Sequence, residues 1–275
     1  MDKEYLPAGF TNVDQALNKD AYFDCLTLLD SLPYYKERKS KSYDLLDLKP
    51  GLAVLEAGCG LGDDALRIAE RIIPGGRVFG LDASAAMIAK ARQNARARQL
   101  PVEFLVGDVK ALPFPDGAVS RCRIDRVLQY IPRPLQAVTE LVRVLEPGGS
   151  LLAYDNDWDT FSIRSSDIDT ARIIERLWSN SFANKEIGRD LQSYFLAAGL
   201  NAVYVDYCQS VITDFATADR IYNLQETVQR AVSGGHISAV QGHLWIRDLM
   251  SESARGKFCV VLGAYTVVGK KIPGQ

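Results

Sequence analysis

Histidine is almost missing from this chain: 275 residues contain two, His236 and His243. With no Cys/His cluster around them, nothing points to a structural zinc site, and no metal is expected. Cysteine is sparse and scattered. Cys25, Cys59, Cys122, Cys208 and Cys259 form no CxxC pair, and an odd number excludes a complete disulfide framework, so a reducing compartment is the simpler reading. Excess charge is lacking too. The net charge is -2 and the pI about 5.8, so no strong field gathers nucleic acid or anionic lipid. The apolar stretches are too short to span a bilayer. Met1-Asp2-Lys3-Glu4 lacks the basic start and apolar run of a secretory signal, and a cytoplasmic location is expected. What is present is an ordinary globular balance, 47% apolar and 24% charged, enough to bury a core without disulfides or metal.

The middle of the chain alternates strand and helix signals. Leu52 to Glu56 is a short apolar run that ends in a glycine-rich turn. Asp64 to Ile73 has helical spacing, with Ala65, Ile68, Ala69 and Ile72 on one face, and Pro74-Gly75-Gly76 stops it. Strands are expected at Arg77–Leu81, Val102–Val106, Arg121–Ile124 (interrupted by two arginines) and Ser150–Tyr154. Helices are expected at Ser84–Gln99 and Leu135–Leu145. This alternation predicts an α/β fold, a doubly wound Rossmann-like parallel sheet with helices on both faces. Asp14 to Lys39 reads as N-terminal helices. The C-terminal stretch reads as helices over 167–180, 189–198, 217–232 and 238–253, with strands over 202–207 and 259–268. Three parts follow: an N-terminal helical segment (1–44), a core (45–157), and a C-terminal part (158–275) whose inserted helices form a cap.

The residues that carry chemistry sit at strand ends. Val54-Leu55-Glu56-Ala57-Gly58-Cys59-Gly60-Leu61-Gly62 follows a strand and opens a helix. Glycines there let the backbone approach a ligand, and the helix start offers free N–H groups. A dinucleotide site needs another glycine where this chain has Asp63, followed by Asp64. Two acids there would repel a pyrophosphate, and no Gly-Lys-Ser/Thr follows to make a P-loop. A ligand without phosphates fits better. The two acids also suit a first helical turn, which is the other role open to them. Asp82 ends the second strand, where an acid accepts from ribose hydroxyls; capping the helix from Ser84 is its alternative. Gly107-Asp108 follows the third strand, with Asp108 and Val109 suited to adenine and a simple turn as the alternative.

Glu56 to Gly62, Asp82, Gly107-Asp108 and Leu145-Glu146-Pro147-Gly148-Gly149 together resemble class I S-adenosylmethionine (SAM)-dependent methyltransferases, with spacing similar to the UbiE-like small-molecule branch. The resemblance covers residues 45 to 157 well. It implies a seven-stranded sheet with an antiparallel last strand. It also implies SAM as cofactor, with Glu56, Gly58, Cys59, Gly60 and Gly62 around the methionine part. Asp82 and Ala83 would take the ribose, and Met87, Gly107, Asp108 and Val109 the adenine. Arg123 is a further cofactor candidate. Relatives often carry Phe-Asp where this chain has Val119-Ser120, and histidine where it has Tyr130.

Methyl transfer from a sulfonium is an in-line displacement governed by near-attack geometry, and a base is needed only for a protonated, weakly acidic nucleophile. Candidates are sought at the carboxyl ends of the strands. Tyr130, Asp155 and Asp157 are the catalytic candidates. Asp125, Arg126, Trp158 and Tyr22 are the substrate-binding ones, with helix packing the other role open to Tyr22. Phe10, Tyr34 and Tyr35 are placed to close over a ligand, while Arg38 and Lys36 suit either a SAM carboxylate or solvent. Both histidines read as surface or hydrogen-bonded residues. No Asn-Pro-Pro-Tyr signature of nucleic-acid and protein amino-methylating relatives occurs. A small organic acceptor is expected, and no nucleic acid. A SAM-binding cyclase, lyase or non-catalytic protein is the alternative, because fold alone does not fix function.

Overall fold

The computed structural model describes residues 5–96 and 98–272. The chain begins with α1 (Leu6–Gly9), a single 3-10 turn at Val13–Gln15, α2 (Asp20–Ser31) and α3 (Pro33–Leu45). The alternating part follows: β1 (Ala53–Ala57), α4 (Asp63–Ile72), β2 (Arg77–Asp82), α5 (Ala85–Ala95) and β3 (Val102–Val106). It continues with β4 (Val119–Asp125), α6 (Pro134–Val144) and β5 (Leu145–Ile163). Then come α7 (Ile168–Ser179), α8 (Ile187–Ala197), β6 (Leu200–Ile212), α9 (Phe215–Tyr222), α10 (Leu224–Ser233), α11 (Ala239–Ala254) and β7 (Val260–Lys271).

One seven-stranded sheet runs in the order β3-β2-β1-β4-β5-β7-β6. The first five are parallel, and β7 lies antiparallel to both neighbours. The chain winds outward from β1 to β3 and then crosses to β4, so the order reverses between β1 and β4. That switch opens a crevice at the carboxyl ends of the strands. The helix between β1 and β2 shows how sequence fixes local structure. Gly62 takes φ +82, a left-handed value that an L side chain adopts only with strain, and Asp63 and Asp64 follow in the favourable first turn. Ala65, Leu66, Ile68, Ala69 and Ile72 are buried by this helix. Each fully buried Leu or Ile contributes about 1.5–3 kcal/mol.

The fourth strand forms as expected, while the fifth strand and the helix after β6 depart from the sequence expectation. The fifth strand does not end at Tyr154 but runs to Ile163, because antiparallel β7 pairs with it as far as Ile163–Val260. The fourth strand keeps its two arginines because α3 and the turn after it cover that face. Arg121 Nε donates to the Leu46 carbonyl at 2.7 Å, and Arg123 Nε to Ser42 Oγ at 3.0 Å. The single helix expected over 217–232 is two, α9 and α10, broken at Asn223, whose φ is 42. Asparagine tolerates this left-handed value better than most residues, and its Oδ1 accepts from Leu6 N at 2.9 Å.

The core divides accordingly. Two clusters flank the sheet, one with Leu55, Ile124, Leu151 and Phe195, the other with Val54, Ile68, Ile88 and Phe104. A third lies beyond the strand ends. It joins Tyr22 and Cys25 of α2 to Phe161 of β5, Ile212 of β6, Leu262 of β7 and Trp178 of α7. The long antiparallel strands therefore carry the cap. Among the described residues no helix is long and apolar enough to cross a membrane.

Candidate active site

A cavity of about 420 Å³ opens at the switch point, under the cap. One end is built by the strand-end turns. Asp82 closes β2, and its two carboxylate oxygens accept from Gly60 N and Ser84 N, both at 2.9 Å. It thus ties the glycine turn to the start of α5 and lines the cavity with both oxygens only partly used. Burial pushes this carboxyl upward, against the pull of the backbone N–H groups. Ser84 caps α5, accepting from Met87 N at 3.1 Å. Ala83, Met87, Gly107, Asp108 and Val109 line the same end. Asp108 holds its own turn by accepting from Lys110 N at 2.8 Å.

Beside this end lies a smaller cavity of about 70 Å³, lined by Glu56, Cys59, Lys39 and Asp63 among others, and shared with Gly58, Gly60, Asp125 and Arg126. Gly58 sits at φ +73, and a Cβ there would lie 2.1 Å from Val127 Cγ2, so glycine is required on two counts. Glu56 Oε1 accepts from Arg123 Nη1 at 2.5 Å, while Glu56 Oε2 is buried with no hydrogen-bond partner among the described residues. Burial drives the Glu56 carboxyl upward and Arg123 pulls it back. Beneath the turn, Arg123 also reaches Asp125 at 2.6 Å, and Lys39 binds Asp30 at 2.9 Å and Asp64 at 2.8 Å. Burial opposes the charge on Asp64, but Arg123 and Lys39 hold its carboxyl below the usual range.

The other end is aromatic. Phe10, Tyr130, Trp158, Trp178, Phe182 and Tyr222 line it. Trp158 and Phe182 stack at 4.1 Å between centroids and 10° between planes, and Trp178 meets Phe182 edge-on at 6.0 Å. Gln129 fixes the wall: its Oε1 accepts from Trp158 Nε1 at 2.9 Å and from Asn156 Nδ2 at 3.2 Å.

Several sequence candidates fall elsewhere. Asp157 does not line the cavity; Arg189 of α8 binds it through Nε at 2.7 Å and Nη2 at 2.6 Å. Asp155 likewise lies off the cavity, accepting from Gln129 N at 3.3 Å and Asn156 N at 3.1 Å, and burial raises it to about 8. The reason is strand parity. Since β5 continues past Tyr154, its side chains alternate, giving Asn156 and Trp158 to the cavity and Asp155 and Asp157 to the other face. Arg123 is fully buried inside the ion network and touches neither cavity. Gly62 is also outside both; a Cβ there would meet Phe104 at 2.7 Å and Ala91 at 2.9 Å, so it serves the packing of α5 and β3 beside α4. Tyr22 packs against Phe10, ring centroids 5.0 Å apart, and against Gly9, behind the cavity lining. Arg38 is engaged by Glu37 and Asp206, and both histidines are exposed.

Sequence reasoning missed Gln129, Asn156, Phe182, Trp178 and Tyr222, all of which line the cavity. It also missed Asp14, whose carboxylate accepts from Ser84 Oγ at 2.6 Å, Ala85 N at 2.9 Å and Ala86 N at 3.0 Å. That aspartate clamps the N-terminal segment onto the start of α5. Extending strand parity beyond Tyr154 would have found Asn156; no local signal marks the others.

Comparison with known proteins agrees with this architecture. Residues 54–149 match the family described as Methyltransferase domain. The chain is 37% identical to an uncharacterised 37.1 kDa protein encoded in a Streptomyces fradiae transposon, over 92% of this chain and 71% of that one. It is 29% identical to demethylmenaquinone methyltransferase of Bacillus cereus, over 66% of this chain and 84% of the relative. The chain belongs to the class I SAM-dependent methyltransferases. Its fold is shared with the crystal structure of a candidate methyltransferase from Bacillus halodurans, with a TM-score of 0.62, 20% identity and coverage of 85% and 98% of the two chains. SAM is the cofactor of this methyltransferase, and the residues present fit it. The unpartnered, buried Glu56 Oε2 beside the glycine turn lacks the donor that an amino-acid ammonium would bring.

Proposed function

We propose that this methyltransferase methylates a small organic molecule seated in the aromatic chamber, and that it does so in the cytoplasm. The observation that carries this reading is one continuous cavity that joins the strand-end acids to a ring-lined chamber. SAM supplies an electrophilic methyl group on a sulfonium. In this reading Glu56 takes the ammonium of its amino-acid part, Asp82 its ribose hydroxyls, and Met87, Asp108 and Val109 surround its adenine. The stacked Trp158–Phe182 pair offers its ring surface to the flat body of the acceptor, and Gln129 holds that wall in place. The chamber has apolar rings and few charges, which suits a small apolar acceptor better than a phosphate backbone. Five free cysteines support a reducing location.

Among the described residues, no side chain of the chamber suits the work of a general base near neutral pH. Burial pushes the Tyr130 phenol well above its ordinary range. Asp125 lines the cavity, but Arg126 and Arg123 overcome its burial and hold its carboxyl low. Rate enhancement then rests on alignment of acceptor and methyl group. The test is incubation with methyl-labelled SAM and separate panels of phenols, quinols, amines, RNA and protein. Label in the small-molecule extract is the expected outcome; label confined to RNA or protein would overturn the reading.

A further inference from the structure

Arg126 is the residue of this cavity whose chemistry remains unused. It is the first residue after β4, at φ 55, and its amide donates to the Tyr154 carbonyl at 2.7 Å. Its guanidinium stands over the Tyr35 ring, 5.0 Å from the centroid, with the side chain 16% exposed. Nε donates to Asp125 Oδ1 at 2.8 Å. Among the described residues, its two terminal nitrogens hydrogen-bond to nothing. A guanidinium carries five N–H donors and stays protonated, so four donors are left without a protein acceptor. The residue lines both cavities and so stands where the cofactor end meets the chamber.

The surrounding charges sharpen the point. Asp125, its single ion-pair partner, is shared: Asp125 Oδ2 takes Arg123 Nη2 at 2.6 Å. The other carboxylates of the ion network turn to the same buried cations, Glu56 to Arg123 and Asp64 to both Arg123 and Lys39, and none reaches Arg126. On the chamber side the facing groups are neutral: Tyr35, Tyr130, Gln129 and Asn156. A cation with open donors, facing an uncharged aromatic chamber, calls for an oxyanion supplied by the ligand.

We propose that Arg126 binds the acceptor as an oxyanion, and that the acceptor class is an aromatic phenol or enol that is O-methylated. This rests on the small-molecule reading given above. The acceptor loses its proton to solvent before or during binding, because the guanidinium favours the anion. An oxygen lone pair then forms the new O–CH₃ bond. The C–S bond of the sulfonium breaks, its electron pair goes to sulfur, and a neutral thioether leaves. Charge balances, since an anion and a cation give two neutral products. Arg126 thereby supplies a deprotonated nucleophile without taking a proton.

The probe is 4-nitrophenol, whose neutral and ionised forms absorb at different wavelengths. Its neutral, shape-matched control is 4-nitroanisole. Binding of both is measured to the cofactor-free protein and to Arg126→Gln, with thermal melting as the fold check. The wild type is expected to bind nitrophenolate at least tenfold tighter than nitroanisole and to lower the apparent pKa of the bound probe. Arg126→Gln is expected to lose that preference while keeping its affinity for nitroanisole. SAM affinity, titrated separately, should stay within about threefold in the variant. A wild type with no preference for the anion overturns the proposal. So does a variant that keeps the preference, or one that instead loses SAM affinity, which would make Arg126 a cofactor residue. Failure of the small-molecule reading looks different: label from methyl-labelled SAM would appear on a macromolecule whatever the nitrophenol result.

Discussion

The two ends of the cavity are built on opposite principles. The cofactor end comes from turns that follow β1, β2 and β3, and beneath it lies an ion network of Glu56, Asp64, Arg123, Asp125 and Lys39. The acceptor end has rings where the other has charges, and its members come from α7, the loop after it, α9 and the outer part of β5. Local backbone geometry places the first set; packing between distant elements places the second. A turn can be conserved in shape by a handful of neighbouring residues. A chamber wall assembled across the chain is free to change its rings, and with them its ligand, without disturbing the turn.

That contrast makes unequal demands on single residues. The largest effect is expected at Arg123. Replacing it by Met strands Glu56 and Asp125 as buried, less compensated carboxylates, and breaking such a network costs about 3–5 kcal/mol. Urea denaturation should show the midpoint falling with the slope unchanged. A loss under about 1 kcal/mol would mean that the cofactor end does not depend on its buried charge.

Asp82→Ala comes next. It removes a carboxylate that holds two backbone N–H groups and borders the cavity. Charge-assisted hydrogen bonds contribute roughly 1.5–3 kcal/mol, so calorimetry should find SAM binding about ten- to a hundredfold weaker. Nitroanisole binding at the acceptor end should be unchanged; parallel losses at both ends would erase the distinction between them.

The smallest effect is expected at Asp157. Its partner Arg189 is 41% exposed but Asp157 itself only 2%, so solvent screens the pair in part, and Asp157→Asn, which keeps one acceptor oxygen, should cost about 1–2 kcal/mol. Turnover should remain within about twofold of wild type in a methyl-transfer assay. A hundredfold drop, the scale of a lost general base, would return this acid to the chamber.

The legibility of the sequence follows the same division. The sheet, the glycine turn and Asp82 could be read because each is announced by a short stretch: an apolar run, then Gly58-Cys59-Gly60, then an acid at a strand end. Asp155 and Asp157 misled because a polar stretch after Tyr154 looks like a loop. Only β7, paired opposite, makes it a strand and imposes parity. Arg123 misled for a related reason. An arginine in a strand near a ligand reads as a ligand contact, yet α3 roofs that face and Ser42 Oγ accepts from its Nε. Trp178 and Phe182 carry no mark at all, since an aromatic residue on an amphipathic helix, or in the turn just after it, reads as ordinary core.

Strand β7 also sets an order of events. It lies between β5 and β6 and pairs Ser150 with Lys270 and Leu200 with Lys271. While a ribosome is still making the preceding segments, β5 has only its β4 edge satisfied, and β6 has no sheet to join. The four parallel strands from β1 to β4 and the first edge of β5 can zip up through crossovers of a few dozen residues. The chamber half must wait for a closure across more than a hundred residues, which is entropically slow and leaves strand edges bare in the meantime. A chain stalled or clipped ahead of residue 260 would thus present a cofactor pocket beside an unfinished, aggregation-prone sheet edge.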